Sequence, residues 1–138
     1  MAVRTFTLEI STRGEADILD VTPAILECVA EAGVRDGTVT AFVPGSTAGL
    51  TTIEFEPGVV EDVRDCFDRL APPGIDYAHE RAWHDGNGHS HVRAALLGPS
   101  LAVPIANGRP VLGTWQQVVL VDFDNRPRVD FFVRDRQG

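Results

Sequence analysis

Residues 101–134, LAVPIANGRPVLGTWQQVVLVDFDNRPRVDFFVR, carry strand signals from end to end. Leu101 to Ile105 is a short apolar run. Asn107-Gly108 follows it, a dipeptide suited to tight hairpin turns that need positive φ. Thr114 to Phe123 is a long, mostly apolar strand. Its Val118-Val119-Leu120-Val121 core predicts a segment covered by the interior or by a partner. Asp124-Asn125-Arg126-Pro127 turns the chain into Arg128 to Arg134, where charged and apolar residues alternate as in a hairpin partner.

Upstream, strands and helices are mixed. Val3 to Ser11 places Phe6, Leu8 and Ile10 on one face and Thr5, Thr7 and Glu9 on the other, as in a half-buried strand. Ser11 to Glu15 is a turn. Thr22-Pro23 predicts a helix start with threonine as the cap, and Ile25, Cys28, Val29 and Ala32 follow at helical spacing up to Gly33. Thr38 to Pro44 and Leu50 to Phe55 are strands. A second helix is predicted from about Gly58 to Leu70, with Val59, Val63, Cys66, Phe67 and Leu70 as its apolar stripe. A short helix starts near His89 or Ser90 and ends at Gly98-Pro99. The order predicts an α+β fold: largely antiparallel sheets in a compact sandwich or barrel-like core, with two main helices and one short one. No repeat or linker interrupts residues 1–138, which read as a single domain.

Composition narrows the function. The net charge is −8, and no basic patch offsets it, which argues against a nucleic-acid partner. No apolar run reaches the roughly 18 residues of a membrane helix. The N-terminus, Met1 to Ile10, reads as a strand and lacks the apolar core of a secretory signal. Cys28 and Cys66 fall at apolar helix positions, as buried small hydrophobes would. A cytoplasmic location is the expectation.

The chemistry concentrates in His84-Asp85-Gly86-Asn87-Gly88-His89-Ser90-His91. Three of the four histidines lie in these eight residues, and His79 stands just upstream. Imidazole and carboxylate bind metals and move protons. On a regular helix His89 and His91 would point about 200° apart, so a shared metal requires His89 to lie outside the helix. Asp85, Glu54 or His79 would complete such a set. For acid–base work His91 with Asp85 or Glu54 is the preferred pair. Phosphate is the other candidate ligand. Gly88 and its neighbours precede a helix with Arg93 one turn in, and Gly45-Ser46-Thr47-Ala48-Gly49 brings further amides and hydroxyls. Trp115 with Gln116 could floor a planar ring, or serve in the core or at a subunit interface.

Five motifs, in order, resemble the YjbQ-like family, whose members are known as secondary thiamine-phosphate synthases. They are Phe42 to Thr51, Tyr77 to Glu80, Asp85 to Gly98, Pro104-Ile105 and Leu112 to Gln116. The resemblance implies a compact α+β fold and a homotrimer with sites near subunit boundaries. It implies an activity joining hydroxymethylpyrimidine pyrophosphate to thiazole phosphate. It also implies a histidine pocket for a divalent metal, zinc or magnesium, or for an anion. His79, His89 and His91 match the family's histidines and are the expected metal ligands; Glu54 and Asp85 match its acidic residues. Ser46, Thr47, Gly88, Arg93, Trp115 and Gln116 are the expected contacts to a phosphorylated small-molecule substrate. Many members begin the first motif with histidine where this chain has Gly45, which removes one imidazole. Two alternatives stay open: another metal-dependent or phosphate-handling enzyme, and a non-catalytic module binding a small molecule or metal.

Overall fold

The computed structural model describes the backbone of residues 3–137, with side chains through Arg128; Met1 and Ala2 lie outside the described residues. The chain runs β1 (Val3–Thr12), β2 (Asp17–Asp20), α1 (Thr22–Ala32), β3 (Gly37–Phe42), β4 (Ala48–Ile53), α2 (Pro57–Leu70), α3 (Glu80–Trp83) and α4 (Gly88–Leu97). It continues through β5 (Ser100–Ala106), β6 (Arg109–Pro110), β7 (Gln117–Asp122) and β8 (Arg128–Gln137). The strands form a five-stranded sheet, β1-β8-β3-β5-β6, and a three-stranded sheet, β2-β7-β4. Every pairing is antiparallel. The α+β expectation holds. The core is a sandwich: both sheets are open among the described residues, so no barrel closes.

β7 explains the unbroken apolar run. Its alternate side chains enter two different cores. Val118 and Leu120 join Val39, Ala41, Val103 and Ile105 of the larger sheet, together with Ile25 and Val29 of α1. Val119 and Val121, with Phe123 beyond them, pack on Phe67 of α2 and Ala94 of α4. The rings of Phe67 and Phe123 lie 4.8 Å apart. The molecule is thus layered, with β7 central and fully covered, as a strand buried on both faces must be.

Three details depart from expectation. β8 does not pair with β7. The Asp124–Pro127 turn carries the chain into the other sheet, where β8 lies between β1 and β3; the side chains of residues 129–134, whose alternation prompted the hairpin reading, lie outside the described residues. Asp17–Asp20, too short and too acidic at its ends to show an alternation, forms edge strand β2 against β7. Thr22 does not cap α1: the N-cap is Val21, and the Thr22 hydroxyl accepts from Val118 N–H at 2.8 Å, tying the helix to β7. The Asn107-Gly108 hairpin forms as predicted, with φ of 52° and 78°.

Candidate functional site

α3 is a single turn that the apolar periodicity does not reveal, and it organises the histidine segment. The Glu80 carboxylate accepts hydrogen bonds from Gly86 N–H at 2.8 Å and Gly88 N–H at 3.0 Å. These bonds, Gly86 first, hold its carboxyl below the usual carboxylate range. The 84–88 turn therefore wraps around one side chain of the preceding helix. Glycine at 88 is required by a close approach: a Cβ there would lie 2.5 Å from Tyr77 Cβ. The Gly88 amide, spent on Glu80, is not free for phosphate.

His79, Glu80 and Asp85 converge. One ligand atom from each lies within 4.8 Å of the others. The Nδ1 of His79 is buried and has no hydrogen-bond partner among the described residues. Asp85 Oδ1 stands 3.5 Å from it and Glu80 Oε1 3.7 Å, too far for hydrogen bonds. The ring of His91 lies 4.4 Å from that of His79, centroid to centroid. His91 Nδ1 is 3.1 Å from the Ser46 carbonyl oxygen. A carbonyl only accepts, so in the neutral ring Nδ1 carries the proton and Nε2 keeps its lone pair. An orphaned imidazole nitrogen between two carboxylates, beside a second imidazole, is a donor set that fits a divalent cation. Its mixed nitrogen and oxygen donors suit zinc better than magnesium, which takes oxygen.

His89 does not join them. α4 begins at Gly88, so His89 and His91 both lie inside the helix and face different ways. His89 is buried and lines a cleft with Arg64, Asp68 and Arg93. Burial, and then the charge of Arg93, push its pKa below the ordinary histidine value. Arg93 is buried as well; its Nε donates to the Ala71 carbonyl at 2.9 Å and a terminal nitrogen to Asp68 at 2.9 Å. His91 instead lines a groove of about 270 Å³ with Gly45, Ser46, Ala48, Ala94 and Pro99.

Thr47, expected at phosphate, belongs to a buried network. Its hydroxyl donates to Asp124 Oδ2 at 3.2 Å and accepts from Arg128 at 2.8 Å. Burial would raise the Asp124 carboxyl, but hydrogen bonds from Asn87, Arg128 and Thr47 hold it below the usual range. Neither this network nor the organising role of Glu80 shows in the spacing of the histidine segment. The available signals were the carboxylate closing an apolar strand at Asp124 and its i,i+4 spacing to Arg128. Ser46 is exposed, with its carbonyl turned to His91. Glu54 is exposed just past β4 and is not among the residues lining the His91 groove. Trp115 is 72% exposed. Gln116 donates to Thr52 Oγ1 at 3.1 Å and accepts from Gly113 N–H at 3.0 Å.

These features define an α+β sandwich protein with a histidine–carboxylate site at the start of its third long helix. The chain belongs to the UPF0047 protein YjbQ-like family, whose model matches residues 6–137. It is 33% identical over 130 residues to UPF0047 protein MJ1081 of Methanocaldococcus jannaschii, covering 94% of this chain and 91% of that one. It is 41% identical over 113 residues to UPF0047 protein Rv2556c of Mycobacterium tuberculosis, covering 80% and 82%. The crystal structure of hypothetical protein APE1520 from Aeropyrum pernix K1 superposes with a TM-score of 0.91 at 30% identity, covering 98% of each chain. No helix among the described residues is long and apolar enough to cross a membrane.

Proposed function

We propose that the chain is a metal-assisted transferase acting on phosphorylated small molecules, of the secondary thiamine-phosphate synthase type. It would join hydroxymethylpyrimidine pyrophosphate to thiazole phosphate and release pyrophosphate. The observation that carries the reading is His79 Nδ1, buried without a hydrogen-bond partner among the described residues, near Asp85 and Glu80 and beside the ring of His91. When bound there, a divalent cation supplies charge neutralisation for a pyrophosphate leaving group. The chain's residues supply the rest. The Ser46 carbonyl orients His91 so that its Nε2 can take or return a proton. The Gly86 and Gly88 amides keep Glu80 ionised. The thiazole nitrogen's lone pair would form the new bond at the pyrimidine methylene, while the C–O bond to pyrophosphate breaks and its electron pair leaves with pyrophosphate.

The same reading makes the protein a cytoplasmic homotrimer. Val111 and Trp115 are 57% and 72% exposed, and their segment borders a second cleft lined by Thr51, Thr52 and Gln116; a second copy of the chain covering them would remove this apolar surface from water. Light scattering tests it, and a monomer contradicts it. The activity is tested by incubating purified protein with the two precursors and zinc or magnesium. Product formation that is lost in His91→Ala supports the reading. No product with either metal overturns it.

A further inference from the structure

A cleft of about 430 Å³ opens on the side of α4 that bears His89, between α2 and the β1–β2 turn. This is the volume range of small-molecule sites. Glu15, Arg64, Asp68, His89, Arg93 and Asn125 line it. Arg93 and Asp68 pair at 2.9 Å and neutralise each other. Arg64 and Glu15 do not pair. Arg64 Nε donates to the Ala16 carbonyl at 2.9 Å, which fixes the guanidinium and leaves its two terminal nitrogens without partners among the described residues. The Glu15 carboxylate has none there either.

The backbone holds Glu15 at this rim against its preference. Gly14, Glu15 and Ala16 are consecutive left-handed residues, with φ of 77°, 55° and 62°. Glu15 N–H donates to the Asp124 carbonyl at 2.6 Å. A Cβ on Gly14 would lie 2.4 Å from the Arg126 carbonyl oxygen, so only glycine lets the turn pack so closely. Such strain collects where a fold must present a ligand contact.

We propose that this cleft binds a small zwitterion of the amino-acid type, its carboxylate on the Arg64 fork and its ammonium on Glu15. Both charge signs in one lining decide against simpler ligands. A plain anion would face the unpaired Glu15, in a chain of net charge −8. A plain cation would face the unpaired Arg64. Asn125 and His89 add uncharged polar contacts, and the planar guanidinium matches a carboxylate bidentately.

Calorimetric titration of the full chain with L-alanine and L-glutamine tests this, with acetate and methylammonium as single-charge controls. Saturable binding of the amino acids is expected, at least tenfold tighter than either control. Glu15→Gln and Arg64→Gln should each weaken it at least tenfold. Because Arg64→Gln also removes a backbone contact, its circular dichroism melt is compared with the parent; Glu15→Gln, on an exposed turn, leaves packing intact and decides the matter alone. Three results overturn the proposal: no binding of either amino acid up to about 10 mM, acetate binding as tightly as alanine, or unchanged binding by Glu15→Gln.

Discussion

Asn87 is the residue on which the histidine segment is anchored, and its replacement tests how the site is held. Its Oδ1 accepts from Asn125 N–H at 3.0 Å and lies 2.7 Å from the Ser90 hydroxyl, whose one proton it shares with the Phe123 carbonyl at 2.6 Å. Its amide also helps keep the Asp124 carboxylate ionised. Asn87 is 8% exposed, Asp124 5% and Ser90 0%, so water replaces these bonds poorly. Asn87→Ala removes one neutral hydrogen bond, a shared one and one to a charged group. With Arg128 and Thr47 still on Asp124, the expected loss is about 2–3 kcal/mol. Asn87→Asp is the sharper probe. It retains an acceptor but places a second carboxylate against Asp124, so it should be at least as destabilising at neutral pH. Relative to the parent, that penalty should shrink on acidification, as one carboxylate of the pair takes up a proton. Urea unfolding at neutral and mildly acidic pH reads both effects, with an unchanged denaturant slope as the sign that only stability moved. Asn87→Ala within about 0.5 kcal/mol of the parent, or Asn87→Asp as stable as the parent at neutral pH, would refute the reasoning.

Other outcomes follow from the same geometry. Phe123 is fully buried against Phe67, and Phe123→Ala should cost about 3–5 kcal/mol in urea unfolding; a cost under about 1 kcal/mol would mean the layer of α2 and α4 is not packed on β7 as described. The depressed pKa of His89 means the unfolded chain takes up that proton more readily. Its stabilising contribution is complete above the ordinary value of 6.5 and is lost as pH falls through the folded value. Urea midpoints should therefore fall more steeply on acidification in the parent than in His89→Gln, and parallel profiles would count against a buried neutral imidazole. Nothing lies within 4 Å of a Cβ built on Gly45, in the groove that His91 lines. Gly45→His should fold normally and tighten zinc binding, measured by competition with a chelating dye; unchanged binding would place position 45 outside the metal's reach.

Much of the fold was legible because β7, α1 and α2 carry long apolar patterns. Short elements were not: β2 and α3 span four residues each, less than a period of pattern can show. The misplaced partner of β8 has a similar cause. Alternation says that a strand has two faces, not which sheet receives it, and the turn at Asp124 is steered by hydrogen bonds from Thr47, far back in the chain, and from Arg128. The site was legible as a cluster of residue types and not as a geometry. Helical spacing separated His89 from His91 correctly once both were inside α4. What brought His79 to His91 was the fold of the 84–88 turn around Glu80, a contact between an unremarked carboxylate and two backbone amides.

The most direct measurement is the zinc content of protein prepared without a histidine tag and dialysed after zinc loading. One zinc ion retained per chain, lost in His79→Ala and in Asp85→Asn but kept in His89→Ala, is the predicted result. A parent chain that retains no zinc, or a His79→Ala variant that retains it fully, would contradict the account.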